Sequence, residues 1–188
     1  MKVSREQAAQ NRERILDAAA QLFRERGFDG IGVADLMKEA GLTHGGFYGH
    51  FSSKDDLIAQ ASARELARSL AHWSNFAERA SAEPLSAVAD AYLNRSHRDN
   101  PGAGCLLAAL GPDVARQRSP VRSAVTDYVR STIDLLTKLV PGKFKAARRQ
   151  KAISTYATLV GAMVLARAVD DRALSQEILD AGRASVKT

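Results

Sequence analysis

The residues best suited to chemistry lie in one stretch, residues 41–57, which reads Gly-Leu-Thr-His-Gly-Gly-Phe-Tyr-Gly-His-Phe-Ser-Ser-Lys-Asp-Asp-Leu. It brings hydroxyl, imidazole, phenol and ammonium groups together in a short segment. Such donors bind the phosphate oxygens and base edges of nucleic acids. The four histidines of the chain form no closely spaced helical pair, and there is no cysteine cluster, so no metal site is expected. The chemistry that this stretch predicts is binding.

The elements around these residues form a known type of unit. Gly41 ends one helical pattern, and the hydroxyl of Thr43 can cap the next helix. A further helix opens after Ser53, because Ser-Lys-Asp-Asp at 53–56 has the pattern of a capping box. Two helices joined by a tight turn, the second short and polar on one side, predict a helix-turn-helix, whose second helix lies in the DNA major groove.

The faces of this short helix assign roles to its side chains. Phe47 and Phe51 are four residues apart and share one face, so both are expected to pack inward. Tyr48 lies off that face, and we expect an exposed hydroxyl that donates to phosphate. A lone histidine such as His50 usually has a structural role. Lys54 is unfavourable in a first helical turn, which indicates a phosphate partner.

Three glycines, Gly45, Gly46 and Gly49, weaken the helix by about 1 kcal/mol each relative to alanine. They also leave few side chains that can reach a base. Sequence-specific contacts are therefore expected mainly from His44, with the backbone and the shape of the DNA supplying the rest.

The remainder of the chain predicts helices throughout, without sustained period-two alternation and without repeats. The predicted helices span 6–26, 33–40, 44–50, 54–80, 120–139, 146–169 and 172–186, with further helical blocks after Pro84 and after the break at 100–104. Seven of thirteen glycines precede residue 54, and all five prolines follow residue 83. We therefore predict an all-α protein with a three-helix helix-turn-helix domain at 1–53. A larger helical domain at 54–188 follows, and the long fourth helix joins the two.

The composition limits the class of protein. Of the 188 residues 45% are hydrophobic, which is enough for a substantial core. No run of eighteen apolar residues predicts a membrane span, and the N-terminus lacks the apolar stretch of a secretory signal. Cys105 is the single cysteine, so no internal disulfide is expected and a cytoplasmic location is the simplest interpretation. Residues 55–188 carry +5 of the net charge of +6, so the DNA-binding prediction depends on the motif and not on bulk charge.

Residues 12–58 resemble the tetracycline-repressor (TetR) family of bacterial transcription regulators. The segment that carries most of the resemblance is Phe-Tyr-Gly-His-Phe-Ser-Ser-Lys at 47–54, followed by Leu57. Supporting matches are Arg-Ile-Leu-Asp-Ala-Ala at 14–19, Leu22-Phe23, Gly27-Phe28, Leu36 and Ala40-Gly41-Leu42. Gly32 departs from the family pattern, which has a capping Thr or Ser before the second helix. Residues 59–188 match only in helical character and size.

The resemblance implies a homodimer whose subunits each carry an N-terminal DNA-binding domain and a C-terminal domain for effector binding and dimerisation. It also implies that the effector moves the fourth helix and so changes the spacing of the two recognition helices. The DNA-binding residues that it implies are Thr43, His44, Gly45, Gly46, Tyr48, His50 and Lys54. The expected partners are double-stranded DNA and a small molecule, with no cofactor and no membrane.

The aromatic residues of the second half predict a pocket for that small molecule. A tyrosine buried among helices needs a hydrogen-bond partner, so a group of them suits a small, largely apolar effector, although each one alone fits a plain core position. The predicted pocket residues are Trp73, Phe76, Tyr92, Cys105, Tyr128 and Tyr156. We expect Cys105 to be a buried small hydrophobe rather than a reactive thiol.

The last two predicted helices carry a candidate dimer interface. Its residues are Ile153, Ala157, Val160, Gly161, Val164, Leu174 and Ile178. The small residues among them permit close approach of helices. An internal core face explains the same stripe, and the sequence leaves both interpretations open.

These features together predict a ligand-responsive transcriptional regulator, a repressor that binds palindromic operator DNA as a dimer and is released by an effector. An enzyme is not expected, since no cluster of titratable groups has recognisable catalytic spacing. The alternative is a small helical enzyme or a stress-sensing ligand carrier with a vestigial DNA-binding module. DNA binding discriminates between the two.

Overall fold

The computed structural model describes residues 4–79 and 83–187, and within them all regular structure is helical. The α-helices are α1 (Arg5–Arg26), α2 (Val33–Glu39), α3 (Lys54–Arg79), α4 (Pro84–Tyr92), α5 (Arg95–Asp99), α6 (Leu106–Arg116), α7 (Val121–Leu139), α8 (Lys145–Ala168) and α9 (Arg172–Lys187). The described residues also form two 3-10 helices, His44–Gly49 and Pro101–Ala103. The predicted all-α fold is confirmed, and the predicted bounds agree within about a residue. Ala80, the predicted end of the fourth helix, lies outside the described residues.

The ends of α1 follow from its local sequence. The Ser4 side chain accepts a hydrogen bond from the backbone N–H of Gln7 at 3.1 Å, which caps the first turn. At the other end the amide of Gly27 donates to the Phe23 carbonyl, and Gly27 has φ 79°, a conformation that favours glycine. The predicted stop at Gly27 is confirmed.

The N-terminal helices enclose a fully apolar centre. Leu36, Met37, Phe47 and Leu57 have no solvent exposure, and Phe51 is almost completely buried. Four of them come from α2, the His44–Gly49 helix and the start of α3, and Phe51 lies between the last two. Helices α2 and α3 pack against α1, and the His44–Gly49 helix packs against α2. This arrangement is the helix-turn-helix unit that the sequence predicts.

Helix α3 connects this unit to the rest of the molecule. Its first half packs on α1, and the helix also packs against α7. Ion pairs hold α3 to α1: Arg64 to Glu13 at 2.6 Å, Arg68 to Asp17 at 2.7 Å and Arg24 to Glu65 at 3.2 Å. One rigid element therefore reaches from the N-terminal unit into the body.

The body consists of α4–α9, in which α8 packs against both α7 and α9. A side chain at Gly182 of α9 would lie 2.9 Å from Ala162 of α8, so the absence of one permits the close crossing of these helices. The buried apolar side chains of the body and of the N-terminal unit form one contiguous cluster.

The prolines take different positions relative to the helices. Pro84 is in the first turn of α4, as predicted, whereas Pro120 immediately precedes α7. Pro112 lies inside α6 instead of between helices. Leu110 and Val114, on either side of it, are both buried, and their packing keeps the helix continuous despite the missing backbone donor.

In the part of the chain that the structure describes, no helix is both long enough and apolar enough to cross a membrane.

Candidate nucleic-acid interface and ligand cavity

The His44–Gly49 helix presents its polar side chains outward from an aromatic anchor. Phe47 is 0% exposed and its ring lies 5.8 Å from that of Phe51, while Tyr48 is 70% exposed with its ring edge-on to Phe47 at 5.2 Å. The two phenylalanines are thus buried and the tyrosine is exposed, as their spacing predicts. An exposed phenol on a buried anchor is positioned to donate to a partner outside the chain.

The helix is of the 3-10 type, and this differs from the predicted α-helical form. The amide of Gly46 donates to the backbone carbonyl of Thr43 at 3.0 Å, so the Thr43 side chain makes no capping hydrogen bond. The predicted cap is therefore wrong. In a 3-10 helix each amide donates to the carbonyl three residues earlier, so the Gly46 amide is bonded to the backbone oxygen of Thr43 and not to its hydroxyl. The Thr43 hydroxyl remains exposed on the outer surface.

The glycines of this helix are not required by the fold. None has a positive φ, and a Cβ added at Gly45 or Gly49 would meet no atom within 4 Å. At Gly46 the nearest atom would be the end of the Met37 side chain at 3.7 Å, an ordinary contact. Apart from a positive φ, a glycine can be needed where another molecule approaches the backbone closely. The open space around these positions leaves room for it.

The other predicted DNA-binding residues lie on the same short segment and its junction with α3. Thr43, His44 and Gly45 are exposed, and His50 and Lys54 are half-buried. Lys54 makes no ion pair with any residue among 4–79 and 83–187. Its ammonium group, at the start of α3, is thus available to an anion.

A polar network fixes the angle between this segment and α3. The carboxylate of Asp56 accepts hydrogen bonds from the backbone N–H of Ser52 at 2.9 Å and from the Gln60 amide at 2.6 Å. The Ser53 hydroxyl accepts from the backbone N–H of Asp56 at 3.0 Å, so the capping interaction expected at Ser53 is present. The hydrogen bonds from Gln60 and Ser52 lower the pKa of the Asp56 carboxyl below its ordinary value.

Arg12 of α1 closes this network. It donates to Gln60, and its guanidinium lies over the Phe51 ring, 5.1 Å from the centroid. The sequence pattern gave no indication of this contact, because Arg12 and Gln60 are far apart in the chain.

A large cavity of about 550 Å³, called here the outer cavity, opens between α3, α4 and the segment around α5. Its wall combines aromatic and polar side chains: Glu65, Arg68, Ser69, His72, Trp73, Tyr92, Asn94, Ser96, His97, Asn100 and Cys105. Glu65 and Arg68 are two of the α3 residues that pair with α1. The wall of the cavity and the attachment of the N-terminal unit thus share side chains.

A small cavity of about 20 Å³, called here the inner chamber, lies behind Trp73 and Tyr92, which line both spaces. Leucines of α7 and α8 surround it, together with Val88, Tyr128, Thr132 and Tyr156. The Tyr128 hydroxyl is 3.0 Å from the Ser69 hydroxyl, whereas those of Tyr92, Thr132 and Tyr156 are buried without a hydrogen-bond partner in the described part of the chain. Burial raises the pKa of Tyr92, Tyr128 and Tyr156 above the ordinary tyrosine value, so all three are neutral phenols.

The structure brings together most of the predicted pocket residues. Trp73, Tyr92 and Cys105 line the outer cavity, while Tyr128 and Tyr156 line the inner chamber. Phe76 lines neither space. It packs edge-on against Trp73 with ring centroids 5.6 Å apart, because it lies nearly one helical turn further along α3. Thr132 was missed, although it falls in the apolar stripe of α7 between Tyr128 and Leu136, where a threonine signals a polar group facing inward.

His97 was also missed, and it organises the wall near Cys105. Its Nδ1 lies 2.7 Å from the Tyr92 carbonyl oxygen, and its Nε2 lies 2.9 Å from the backbone N–H of Cys105. The carbonyl can only accept and the amide can only donate, so His97 carries its proton on Nδ1 and is neutral. Burial, with the positive charge of Arg167 in addition, lowers the pKa of His97.

The predicted dimer stripe lies largely on the surface of α8 and α9. Ile153, Ala157, Val164 and Leu174 are exposed. Val160, Gly161 and Ile178 are partly buried. The core face of α8 carries other residues, among them Tyr156, Leu159 and Met163. Val160 and Ile178 also pack against the core, so the stripe has both surface and core members. Leu165, 56% exposed, enlarges the apolar surface.

In a comparison with protein families, residues 15–61 fit the model for bacterial regulatory proteins of the tetR family. The matched residues run from the buried face of α1 through residues 43–54, called here the recognition segment, and into α3.

Curated relatives extend the similarity beyond this segment. The HTH-type transcriptional repressor NemR of Escherichia coli K12 is 28% identical over 166 residues, covering 83% of this chain and 83% of that protein. The HTH-type transcriptional regulator AcrR of Shigella flexneri is 35% identical over 57 residues, which is 30% of this chain.

Solved structures share the whole fold. The reduced form of E. coli NemR superposes with a TM-score of 0.78 at 26% identity, covering 95% of each chain. A transcriptional regulator from Agrobacterium tumefaciens gives a TM-score of 0.79 at 23% identity, covering 96% of this chain, and it supports the fold alone.

Proposed function

Because the chain belongs to the TetR family and is a DNA-binding transcriptional regulator, we propose that it is a repressor released from its operator by a small, largely apolar effector. The operator would be nearly palindromic, since a two-fold dimer presents two equivalent recognition segments. The observation that carries the proposal is the recognition segment itself: Phe47 and Phe51 are buried beneath it, and Tyr48 and His44 face outward.

The DNA contacts divide by chemistry. Tyr48, His50 and Lys54 are assigned to phosphate, because a phenol, an imidazole and an ammonium group all donate to its oxygens. His44 is assigned to a base edge, with Thr43, Gly45 and Gly46 letting the backbone approach the groove. The network around Asp56 supports the proposal by holding the segment at a fixed angle to α3.

The proposed dimer uses the exposed stripe of α8 and α9. Apolar side chains such as Ile153, Val164 and Leu174 would leave water on association. Gly161 would permit close approach of helices, since a Cβ added there meets no atom within 4 Å. Light scattering should show a dimer at micromolar concentration. A monomer that nonetheless binds DNA with full affinity would contradict this assignment.

The proposed effector site is the outer cavity with the inner chamber behind it. Glu65 and Arg68 face the outer cavity and also pair with Arg24 and Asp17 of α1. A ligand that displaces α3 changes these pairs and so tilts the N-terminal unit. Arg24 adds a second connection, since its guanidinium donates to the Gly102 carbonyl oxygen at 2.8 Å from Nε, next to the cavity wall.

The effector must then weaken the binding of the operator by the same factor as the operator weakens the binding of the effector. The coupling free energy is typically about 1–3 kcal/mol. The relatives are named as transcriptional regulators, and the alternative of an enzyme or ligand carrier with a vestigial module is not favoured.

A gel-shift assay with the DNA upstream of the chain's own coding sequence tests the function. Lys54→Ala should weaken binding to all duplexes alike and lower the salt slope by about one unit, because one phosphate contact is lost. Tyr48→Phe should also weaken binding on every duplex, whereas His44→Ala should relax preference at one base position. An unchanged salt slope in Lys54→Ala would show that this lysine does not contact phosphate.

A further inference from the structure

The inner chamber has an unusual lining for a space inside a helical core. Three of its side chains, Tyr92, Thr132 and Tyr156, are at least nine-tenths buried. Within the described part of the chain their hydroxyls make no hydrogen bond of normal length, although Cys105 lies near Tyr92 and Tyr128 lies near Thr132 and Tyr156. A buried polar group without a partner typically costs about 1–3 kcal/mol. Three such groups around one space indicate that the space has an occupant that satisfies them.

The chamber also indicates the charge of that occupant. Its lining contains no acidic or basic side chain, and leucines 135, 136, 139 and 159 form most of the remaining wall. An ionised group placed there would lose its hydration without gaining an opposite charge. The occupant is therefore neutral and largely apolar.

The hydrogen-bonding capacity of the lining indicates the polar group. Each of the three hydroxyls can donate, and the phenols are neutral because burial opposes their ionisation. A carbonyl oxygen has two lone pairs and can accept from two of them at once. Tyr128 is less available, since its hydroxyl is already within 3.0 Å of the Ser69 hydroxyl.

Access to the chamber passes the two aromatic rings that it shares with the outer cavity. Trp73 and Tyr92 line both spaces, with ring centroids 5.9 Å apart. Trp73 is only half-buried, so a change in its side-chain conformation can join the 20 Å³ chamber to the 550 Å³ cavity. The joined volume lies in the range of small-molecule sites.

We propose that the inner chamber selects an uncharged, largely apolar ligand through one carbonyl oxygen that accepts hydrogen bonds from two of the three hydroxyls of Tyr92, Thr132 and Tyr156. This assignment rests on the proposed function, because it names the chemical class of the effector. It adds the side chains that recognise the ligand and the charge that they exclude.

Three probes that share one carbon skeleton test the proposal: butyrophenone, butylbenzene and 4-phenylbutyrate. The first carries a ketone, the second no polar group and the third a carboxylate. Binding is measured by the fluorescence of Trp73, the one tryptophan of the chain, and by calorimetry. The full-length protein should bind the ketone about tenfold more tightly than either of the others, since two neutral hydrogen bonds are gained without burial of a charge.

The chain offers a matched pair of variants. Thr132 and Thr155 are 6% and 2% exposed, both hydroxyls lack a partner, and only Thr132 lines the chamber. Thr132→Val should lower the preference for ketone over hydrocarbon by about three- to tenfold, and Tyr156→Phe should do the same. Thr155→Val should leave that preference unchanged. Neither threonine variant should lower the unfolding temperature, because valine has the shape of threonine without the unpaired hydroxyl.

Four results would overturn the inference: equal affinity for ketone and hydrocarbon, tightest binding of the carboxylate, equal effects of the two threonine substitutions, or no binding of any probe at millimolar concentration. The fourth result is also expected if a water molecule permanently occupies the chamber. Operator binding is measured on the same preparations without probe. Lost DNA binding with intact ketone preference would reject the proposed repressor alone, and intact DNA binding without the preference would reject this inference alone.

Discussion

The helix-turn-helix places its polar groups at the surface, whereas the body encloses several polar groups in its interior. In the first region Leu36, Met37 and Phe47 are wholly buried, and the donors of the recognition segment face solvent. In the body, hydroxyls such as those of Tyr92 and Tyr156 are enclosed among leucines beside two cavities. The centre of the first region is apolar, whereas the interior of the body contains polar groups.

The difference follows from the size of the partner that each region is proposed to bind. A DNA duplex is met at the surface, so the unit beneath can be closely packed and rigid. A small molecule must be surrounded, so its site is built from imperfect packing and unpaired polar groups, which lower the stability of the free protein. Arg24, a buried charge of α1, lies where the two regions meet and binds both Glu65 and Gly102.

The largest expected effect is the loss of the aromatic anchor. Phe47→Ala should lower the free energy of unfolding by about 3–5 kcal/mol, because a completely buried ring leaves a cavity in a closely packed unit. Urea unfolding measures the change, and gel shift should show lost operator binding.

Phe144→Ala is the matched control, since Phe144 precedes α8 with 77% of its surface exposed and should change stability by less than about 0.5 kcal/mol. If both phenylalanine variants lost equal stability, the contrast between a packed unit and a looser body would not hold.

A smaller effect should come from His97, on the body side of the comparison. The pKa of this histidine is lowered by burial, so the unfolded chain takes up a proton at higher pH than the folded chain. The stability that neutral His97 provides is fully present above about pH 6.5 and falls as the pH drops toward the folded pKa. Protonation would also set an Nε2–H against the Cys105 N–H.

Thermal unfolding from pH 8 to pH 5 measures this dependence. His97→Gln should be less stable at pH 8, by about 1–3 kcal/mol for the lost buried hydrogen bonds, and should lose less stability than the wild type as the pH falls. Parallel curves for the His97 variant and the wild type would rule out this histidine as the titrating group.

The smallest effect concerns the glycines of the recognition segment. Gly45→Ala should stabilise the free protein by up to about 1 kcal/mol, since φ is not positive and the new Cβ meets no atom. The same variant should weaken operator binding by roughly threefold or more if the backbone approaches the DNA there.

Gly111→Ala in α6 provides a control outside the recognition segment: it should leave DNA binding unchanged. Unchanged DNA affinity in Gly45→Ala would show that Gly45 is not at the interface.

Much of the fold follows from local sequence. The end of α1 at Gly27, the start of α4 at Pro84 and the inward faces of Phe47 and Phe51 were all predicted from residues a few positions apart. Pro112 and Thr43 show the limit of this reasoning. Packing of Leu110 and Val114 keeps a helix intact through a proline, and a 3-10 backbone uses the bond expected of the Thr43 side chain.

Local patterns account for the helices, the helix-turn-helix and the similarity to one family, because periodicity, capping residues and a contiguous signature act over short distances along the chain. Tertiary structure alone decided that Tyr128 is paired with Ser69 while Tyr156 is not, and that Phe76 supports Trp73 from outside the cavities. It also decided that Glu65 faces both the outer cavity and Arg24. These facts depend on how distant helices cross, and a crossing is fixed by the packing of the whole core rather than by any local pattern.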